Sequence, residues 1–148
     1  MESLTVALIT GANGGIGRAV AEILTADHRY HIIIDIFAAA AYISETFGKL
    51  NVLVNNAAVH FAVTHSLPVR EQWTYTFATN VVGTVVLTDK LLSLLRKSEF
   101  PWTVFINSTK GSMGATLDTT LALQDLTFNS YDARKAAVNM LTAAMSRY

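Results

Sequence analysis

The sequence predicts an α/β protein with a doubly wound parallel sheet. Short apolar runs of strand length alternate along the chain with segments of helix length, and this alternation is typical of a parallel sheet covered by helices on both faces. Small polar residues follow the apolar runs, at the carboxyl ends of the strands where an open α/β sheet binds its ligands. With 148 residues, 51% of them hydrophobic, the chain is long enough for a core. We predict one domain over residues 1–148.

The charge and composition favour chemistry on small molecules. The 11 basic and 11 acidic residues cancel, and no block of like charge predicts a nucleic acid or a membrane surface as partner. Cysteine is absent, which excludes disulfides and agrees with a reducing compartment. The four histidines lack the spacing of metal ligands, and neither a signal peptide nor an apolar run of membrane-spanning length is evident. We therefore expect a cytoplasmic protein without a metal site.

Three strands and two helices are predicted in the first part of the chain. The first strand is the apolar run Leu4–Ile9, and apolar residues at helical spacing follow over 16–24. The β-rich runs Tyr30–Ile34 and Asn51–Val54 predict two further strands, and the pattern of Phe37–Phe47 between them predicts a helix.

The second part of the chain predicts two long helices and a fourth strand. Trp102–Ile106 is a β-rich run, and 131–147 has the apolar content of a helix. The stretch from Val81 to Leu87 favours a strand on propensity alone, whereas leucines at 87, 91, 94 and 95 favour a helix. We predict a helix over about 80–97, mainly because the family resemblance given below requires it.

The predicted elements are too few for a complete sheet of this kind. A strand–helix–strand unit takes about 30 residues or more, yet a single helical pattern separates Asp35 from Asn51. A helix and a strand are therefore expected to be missing after residue 35 or just before it. No further strands follow the last predicted helix, which runs to the end of the chain at Tyr148, so we expect an incomplete fold and a longer or truncated protein.

A glycine-rich segment, Thr10-Gly11-Ala12-Asn13-Gly14-Gly15-Ile16-Gly17, stands between the first predicted strand and the helix that follows it. Glycines permit the tight turn and let backbone amides approach a pyrophosphate, and the amino terminus of the helix favours negative charge. We predict that this glycine loop binds the phosphates of a dinucleotide.

Five motifs in this order resemble those of the short-chain dehydrogenase/reductase family. The glycine loop matches T-G-x-x-x-G-x-G, and Asn55–Ala58 resembles N-N-A-G, with Ala58 where glycine is usual. Asn80–Gly83 matches N-x-x-G, Ser108 ends the strand that carries the family's serine, and Tyr131–Lys135 matches Y-x-x-x-K. The resemblance covers essentially the whole chain. It implies a Rossmann-like oxidoreductase, such as a carbonyl reductase, that uses NAD or NADP to transfer hydride to or from a carbonyl or secondary alcohol carbon.

The resemblance assigns the proton transfer to Tyr131. Lys135 lies four residues later, hence on the same helical face, and its ammonium stabilises a phenolate, so Tyr131 serves as general acid or base near neutrality. By resemblance, Lys135 also hydrogen-bonds the nicotinamide ribose.

The resemblance also assigns a serine and an asparagine. Ser108 would offer its hydroxyl to the substrate oxygen, and it is preferred to Ser112 because Gly111 follows it by three residues, as in the family. Asn80 would bend its helix and hold a water linked to Lys135. The predicted catalytic residues are thus Asn80, Ser108, Tyr131 and Lys135. The predicted cofactor-binding residues are Gly11, Asn13, Gly14, Gly15, Ile16, Gly17, Asp35, Asn56, Ala57, Ala58, Tyr131 and Lys135.

Asp35 has two interpretations. It follows Gly17 at about the 20-residue spacing at which a dinucleotide fold places its acidic ribose ligand. A carboxylate there repels a 2′-phosphate, which favours NAD over NADP, and Gly14 carries no basic side chain for that phosphate. Alternatively, His31–Ile36 resembles the family's third strand, whose aspartate contacts adenine, and the cofactor preference is then not encoded at Asp35.

Self-association and a substrate loop are two further expectations. The family commonly pairs the helices here predicted at 80–97 and 131–147 between subunits, and the second carries more apolar residues than one buried stripe needs. We predict a homo-oligomer, either a dimer or a tetramer. The loop of 22 residues between Ser108 and Tyr131 is expected to border the substrate. Packing roles are predicted for Met113, Met140 and Met145.

Two other functions remain compatible with the same fold. The chain is either a non-catalytic dinucleotide-binding or scaffolding member, because a fold does not dictate a function, or an inactive fragment of a longer enzyme. Retention of all four predicted catalytic residues disfavours the first of these.

Overall fold

The computed structural model describes residues 4–35, 38–59, 67–118, 120 and 129–146. These form two compact units. The first unit comprises the residues up to Ala57 together with Val86–Ile106, and the second comprises Ala58–Val85 and the residues from Asn107 onward.

A four-stranded parallel sheet lies at the centre of the first unit. Its strands are β1 (Thr5–Ile9), β2 (Tyr30–Ile33), β3 (Val52–Asn55) and β4 (Trp102–Phe105), in the order β2-β1-β3-β4. All neighbouring strands run parallel, which confirms the Rossmann-like α/β fold class. Within the described residues one helix separates β2 from β3, so the described sheet lacks the additional strand and helix of a complete fold, as the spacing predicted.

Helices cover both faces of this sheet. Side chains alternate along β1, so Val6 and Leu8 pack on one face with α2 (Ala39–Thr46) and the carboxyl-terminal half of α4 (Thr84–Leu95). Ile9 packs on the other face against α1 (Gly15–Thr25). Strand β1 is a continuous apolar run because both of its faces are buried, whereas the residues of β4 alternate between exposed and half-buried.

The second unit is helical. It contains α3 (Val69–Phe77), a π-helical segment (Ala78–Gly83), a 3₁₀ turn (Thr109–Gly111), α5 (Met113–Leu117) and α6 (Asn129–Met145). The last helix agrees with the predicted 131–147 within two residues at each described end.

The start of the predicted helix over 80–97 was wrong. Helical structure begins at Val69 and continues through the π-helical segment into α4. By length and composition alone, these 27 residues would suffice to cross a membrane, although the sequence has no unbroken apolar run of that length. Leu91, Leu94 and Leu95 are buried in the core of the first unit, and a core helix of a globular protein passes the same test.

Candidate active site

Thr10 joins the start of the glycine loop to the end of β3. It is buried, and its backbone N–H donates to the Val54 carbonyl at 3.0 Å. Its Oγ1 accepts the backbone N–H groups of Asn56 at 3.0 Å and Ala57 at 2.9 Å. The ends of two neighbouring strands are thereby fixed to each other, although Thr10 was not among the predicted site residues.

Asn56 and two of the glycines shape the loop from inside. The Asn56 Nδ2 donates to the carbonyls of Thr10 at 3.0 Å and Gly11 at 3.2 Å. A Cβ at Gly11, whose φ is +65°, would lie 2.8 Å from the Cα of Ala57. A Cβ at Gly17 would lie 2.5 Å from the Gly11 carbonyl oxygen and would also meet Asn56. These contacts leave no room for side chains, so these residues set the path of the loop.

The outer part of the loop is open to solvent. Asn13, Gly14, Gly15 and Ile16 are all exposed, and a Cβ at Gly14 or Gly15 would meet no atom within 4 Å. No side chain caps the amino terminus of α1, which begins at Gly15. Uncapped helical amides beside open space form a cradle that suits an anion.

The remaining predicted cofactor residues follow strands β2 and β3. Asp35 is exposed and lies two residues beyond the end of β2. Strand β2 pairs directly with β1. Asp35 follows the end of β2 and the glycine loop follows the end of β1, so the two lie after neighbouring strands. Ala57 and Ala58 are exposed after β3. Among the described residues only glycines have a positive φ, so alanine is accommodated at 58 without backbone strain.

Asn80 lies in the π-helical segment of the second unit. Its side chain is buried, and its Oδ1 accepts the Val59 N–H at 2.7 Å while its Nδ2 donates to the Val59 carbonyl at 2.7 Å. Thr84 donates from its Oγ1 to the Asn80 carbonyl at 3.1 Å. Asn80 therefore binds the backbone of Val59 from within the π-helical segment, and its predicted role in bending the helix stays a prediction.

Ser108 precedes and caps the 3₁₀ turn that packs against α6. Its Oγ accepts the Lys110 N–H at 3.2 Å. Gly111, which ends the turn, is buried, and a Cβ there would lie 2.6 Å from the carbonyl carbon of Lys135. The turn approaches the helix this closely because residue 111 has no side chain. Ser112, by contrast, caps the separate short helix α5.

Two asparagines that sequence reasoning missed tie this turn to α6. The Asn107 Oδ1 accepts the Ser108 N–H at 2.9 Å, and its Nδ2 donates to the Lys135 carbonyl at 3.2 Å and to the Asn139 Oδ1. The Asn139 Nδ2 donates to the Gly111 carbonyl at 3.0 Å. The partners lie about 30 residues apart in sequence, so no local pattern indicates them.

Tyr131, Arg134 and Lys135 form a cluster on α6. The Lys135 Nζ lies 5.9 Å from the centre of the Tyr131 ring. Lys135 is buried, and burial, reinforced by the Arg134 charge, lowers the pKa of its ammonium to about 8. The predicted pair therefore shares a helical face, and Arg134 is a second cation that the motif did not reveal.

The expected substrate-bordering loop is only partly described. It contains α5, in which Met113 is 80% exposed, whereas residues 119 and 121–128 lie outside the described residues. Met140 on α6 is 70% exposed. These two methionines therefore lie outside the described core, and a packing role for them elsewhere stays a prediction.

Comparison with known proteins places this geometry in a family. The family model of the short chain dehydrogenases matches residues 33–148. A short-chain dehydrogenase of Penicillium roqueforti, anuI, is 28% identical over 176 aligned positions, which cover 92% of this chain and 69% of that protein. Because the alignment is longer than this chain, the relative has residues without counterpart here. Carbonyl reductase [NADPH] 1 of Sus scrofa is 32% identical over 124 positions, covering 62% of this chain and 43% of that protein.

A solved structure agrees with the sequence relatives. A short-chain dehydrogenase from Streptomyces avermitilis superimposes with a TM-score of 0.74 at 26% identity, over 98% of this chain and 60% of that one. This chain thus spans about two thirds of the length of such relatives. With the family model matching well over half of its residues, the chain belongs to the short-chain dehydrogenase family of oxidoreductases.

Proposed function

We propose that this chain, within its full-length protein, is an NAD(P)-dependent oxidoreductase that transfers hydride between a nicotinamide cofactor and a carbonyl or secondary alcohol carbon. The observation that carries the proposal is the arrangement on α6. Lys135, with its pKa lowered to about 8, lies one helical turn beyond Tyr131, and the Ser108 turn packs on the same helix through Gly111.

In this proposal Tyr131 exchanges the proton. A phenol bordered by cations gives up its proton to become a base for an alcohol and regains it to serve as an acid for a carbonyl. The Ser108 Oγ accepts the Lys110 N–H, and its own hydroxyl hydrogen remains to be donated to the substrate oxygen. Asn80 supports this arrangement by holding Val59.

The glycine loop fits the pyrophosphate of a dinucleotide. The open space at Gly14 and Gly15 and the uncapped start of α1 suit a phosphate, as a helix amino terminus does in general. A nicotinamide dinucleotide supplies the hydride acceptor or donor when bound. We assign Asn13, Ile16, Ala57 and Ala58 to the surface that contacts it, and Lys135 to its ribose.

We propose NAD as the preferred dinucleotide, on the ground of Asp35. The carboxylate follows the strand beside β1, where an acidic residue accepts hydrogen bonds from the ribose hydroxyls and repels a 2′-phosphate. The cation of α1, Arg18, is paired with Glu22 at 2.7 Å rather than reserved for a phosphate.

The test of the proposed function is Tyr131→Phe, which keeps the ring and its packing but removes the hydroxyl. Turnover of ketones, aldehydes or secondary alcohols by the full-length protein should fall by roughly 10²-fold or more, the scale of losing a positioned acid or base. Affinity for the dinucleotide, measured separately by calorimetry, should barely change. Tyr75→Phe, at an exposed tyrosine of α3, is the matched control.

Two results would count against the proposal. An undiminished rate in Tyr131→Phe would show that Tyr131 is not the acid or base, and absence of dinucleotide binding at millimolar concentration would favour the scaffolding function. Tighter binding of NADP than NAD would contradict only the role of Asp35.

We further propose that both units serve one dinucleotide-binding and catalytic domain over residues 1–148, in a homo-oligomeric protein of the cytoplasm. The neutral net charge and the absence of cysteine agree with a small-molecule enzyme in a reducing compartment.

A further inference from the structure

Arg134 occupies an unusual position for an arginine. It is only 2% exposed, and its guanidinium carbon lies 4.1 Å from the centre of the Tyr131 ring. The guanidinium thus lies over the ring of this tyrosine, at closer range than the Lys135 ammonium.

The burial of Arg134 contributes little to the stability of the fold. Its Nε is buried without a hydrogen-bond partner, and burial lowers the pKa of the guanidinium, while Tyr131 opposes that change. A buried charge without a carboxylate partner destabilises a fold. The described residues give Arg134 no such partner, and its described contact is the one with the face of the Tyr131 ring.

We propose that Arg134 is a positioning residue for Tyr131, one that fixes the orientation of the ring and stabilises the phenolate form of its hydroxyl. The inference rests on the proposed role of Tyr131 as acid and base. In this inference two neighbouring cations, Lys135 and Arg134, act on Tyr131 over different ranges of pH. Lys135 titrates near pH 8, whereas an arginine keeps its charge throughout the physiological range, so the positive charge beside Tyr131 persists after Lys135 has lost its proton.

The other charged groups near α6 do not replace Arg134. Among the described elements, those that pack most extensively against α6 are the 3₁₀ turn, α3 and the π-helical segment. The π-helical segment has no titratable residue, and the others carry Lys110, Arg70, Glu71 and Tyr75. On α6 itself, Asp132 has a buried Oδ1 without a partner. The pKa directions of Arg134 and Lys135 arise from burial and from each other or Tyr131, and not from these groups.

The experiment follows the ionisation of Tyr131 directly, in the protein without cofactor. The full-length protein is labelled with [ζ-¹³C]tyrosine, and the Tyr131 resonance is assigned by its loss in Tyr131→Phe. In Arg134→Gln the midpoint of the Tyr131 titration should move to higher pH by about one unit, as for loss of an opposite charge within about 4–6 Å. Arg134→Lys should restore most of the original midpoint. Arg96→Gln, which removes an exposed arginine, should change nothing.

Activity gives an independent and directional readout. Oxidation of an alcohol needs the phenolate, so at pH 7 its kcat/KM should fall about tenfold in Arg134→Gln for a one-unit shift. Reduction of a carbonyl needs the phenol and should change much less. A residue that served only to hold the fold would lower both directions together.

The outcomes separate this inference from the proposed function. An unchanged Tyr131 midpoint in folded Arg134→Gln would overturn the role of Arg134, whatever the activity. If Tyr131→Phe retains full turnover, the proposed function fails, although the titration still measures the effect of Arg134. Arg134→Met provides a second charge-free variant of similar volume. Failure of both charge-free variants to fold would show that the cation is needed for folding and would also overturn the inference.

Discussion

Lys135 is a residue whose position opposes folding. Its pKa in the folded chain is about 8, below the ordinary value of 10.5, chiefly because burial disfavours the ammonium. Between these two pH values the unfolded chain holds a proton that the folded chain has released, so stability rises with pH across that window. Below pH 8 the folded protein carries the full cost of the buried charge.

Lys135→Met should therefore stabilise the protein while impairing its proposed chemistry. At pH 7 the gain in unfolding free energy should be about 1 kcal/mol, a value reduced from the pKa shift to allow for solvent screening. The gain should shrink as pH rises from 8 towards 10.5. Urea unfolding at a series of pH values measures it, with Lys97→Met at an exposed position as control. Equal stability of variant and original protein at pH 7 would contradict this account.

Sequence spacing identified the candidate site only in part, and the reason is visible residue by residue. Tyr131 and Lys135 were singled out by their resemblance to the family's Y-x-x-x-K motif, and helix geometry adds only that positions four apart share one face. Arg134 carries no signal in the motif, and its burial depends on what packs against α6. Asn107 and Asn139 hold the Ser108 turn to that helix, but their contact joins segments that only the folded chain brings together.

The same contrast holds for whole elements. The four strands were predicted within one or two residues because each is a short run of mainly apolar and β-branched residues closed by polar residues. Helix α3 was missed because Thr76 is its one buried residue, so its sequence has no apolar stripe to detect. The π-helical segment that joins α3 to α4 is defined by backbone hydrogen bonds, for which the sequence offers no separate pattern.

The glycine loop should divide into glycines that shape it and glycines that face the ligand. Gly17→Ala introduces a Cβ against Asn56 and the Gly11 carbonyl and should lower the unfolding free energy by about 1–3 kcal/mol, as overpacking does. Gly14→Ala meets no atom within 4 Å, so stability should be unchanged while dinucleotide affinity falls. Denaturant unfolding and calorimetric titration measure the two effects. A stable Gly17→Ala variant, or unchanged affinity in Gly14→Ala, would show that the loop is used differently.

At the scale of the whole molecule, exposed apolar side chains support the proposed self-association. Met140 on α6 is 70% exposed and Val86 on α4 is 48% exposed. The full-length protein should form a dimer or tetramer at micromolar concentration in light scattering. Met140→Glu should raise the dissociation constant of the oligomer at least tenfold, because a charge is costly in a buried interface (an effect of about 1.4 kcal/mol or more). Met113→Glu, off the long helices, is the control, and a monomeric original protein would refute the proposal.

Strand β2 has a consequence for how this family can vary in length. In the described sheet it pairs with β1 alone, whereas β1 pairs with strands on both sides. Loss or gain of a strand–helix unit beside β2 leaves the pairing of β1 with β3 and of β3 with β4 in register. Neither pairing depends on the outermost strand of the sheet. Evolution can therefore shorten or extend the sheet at that side without rebuilding the glycine loop. We expect length differences among relatives to concentrate in the sequence between Asp35 and Asn51. A strand–helix unit transplanted from a longer relative should be accepted there, at the edge of the sheet, more readily than as a strand inserted into the sheet between the paired strands β1 and β3.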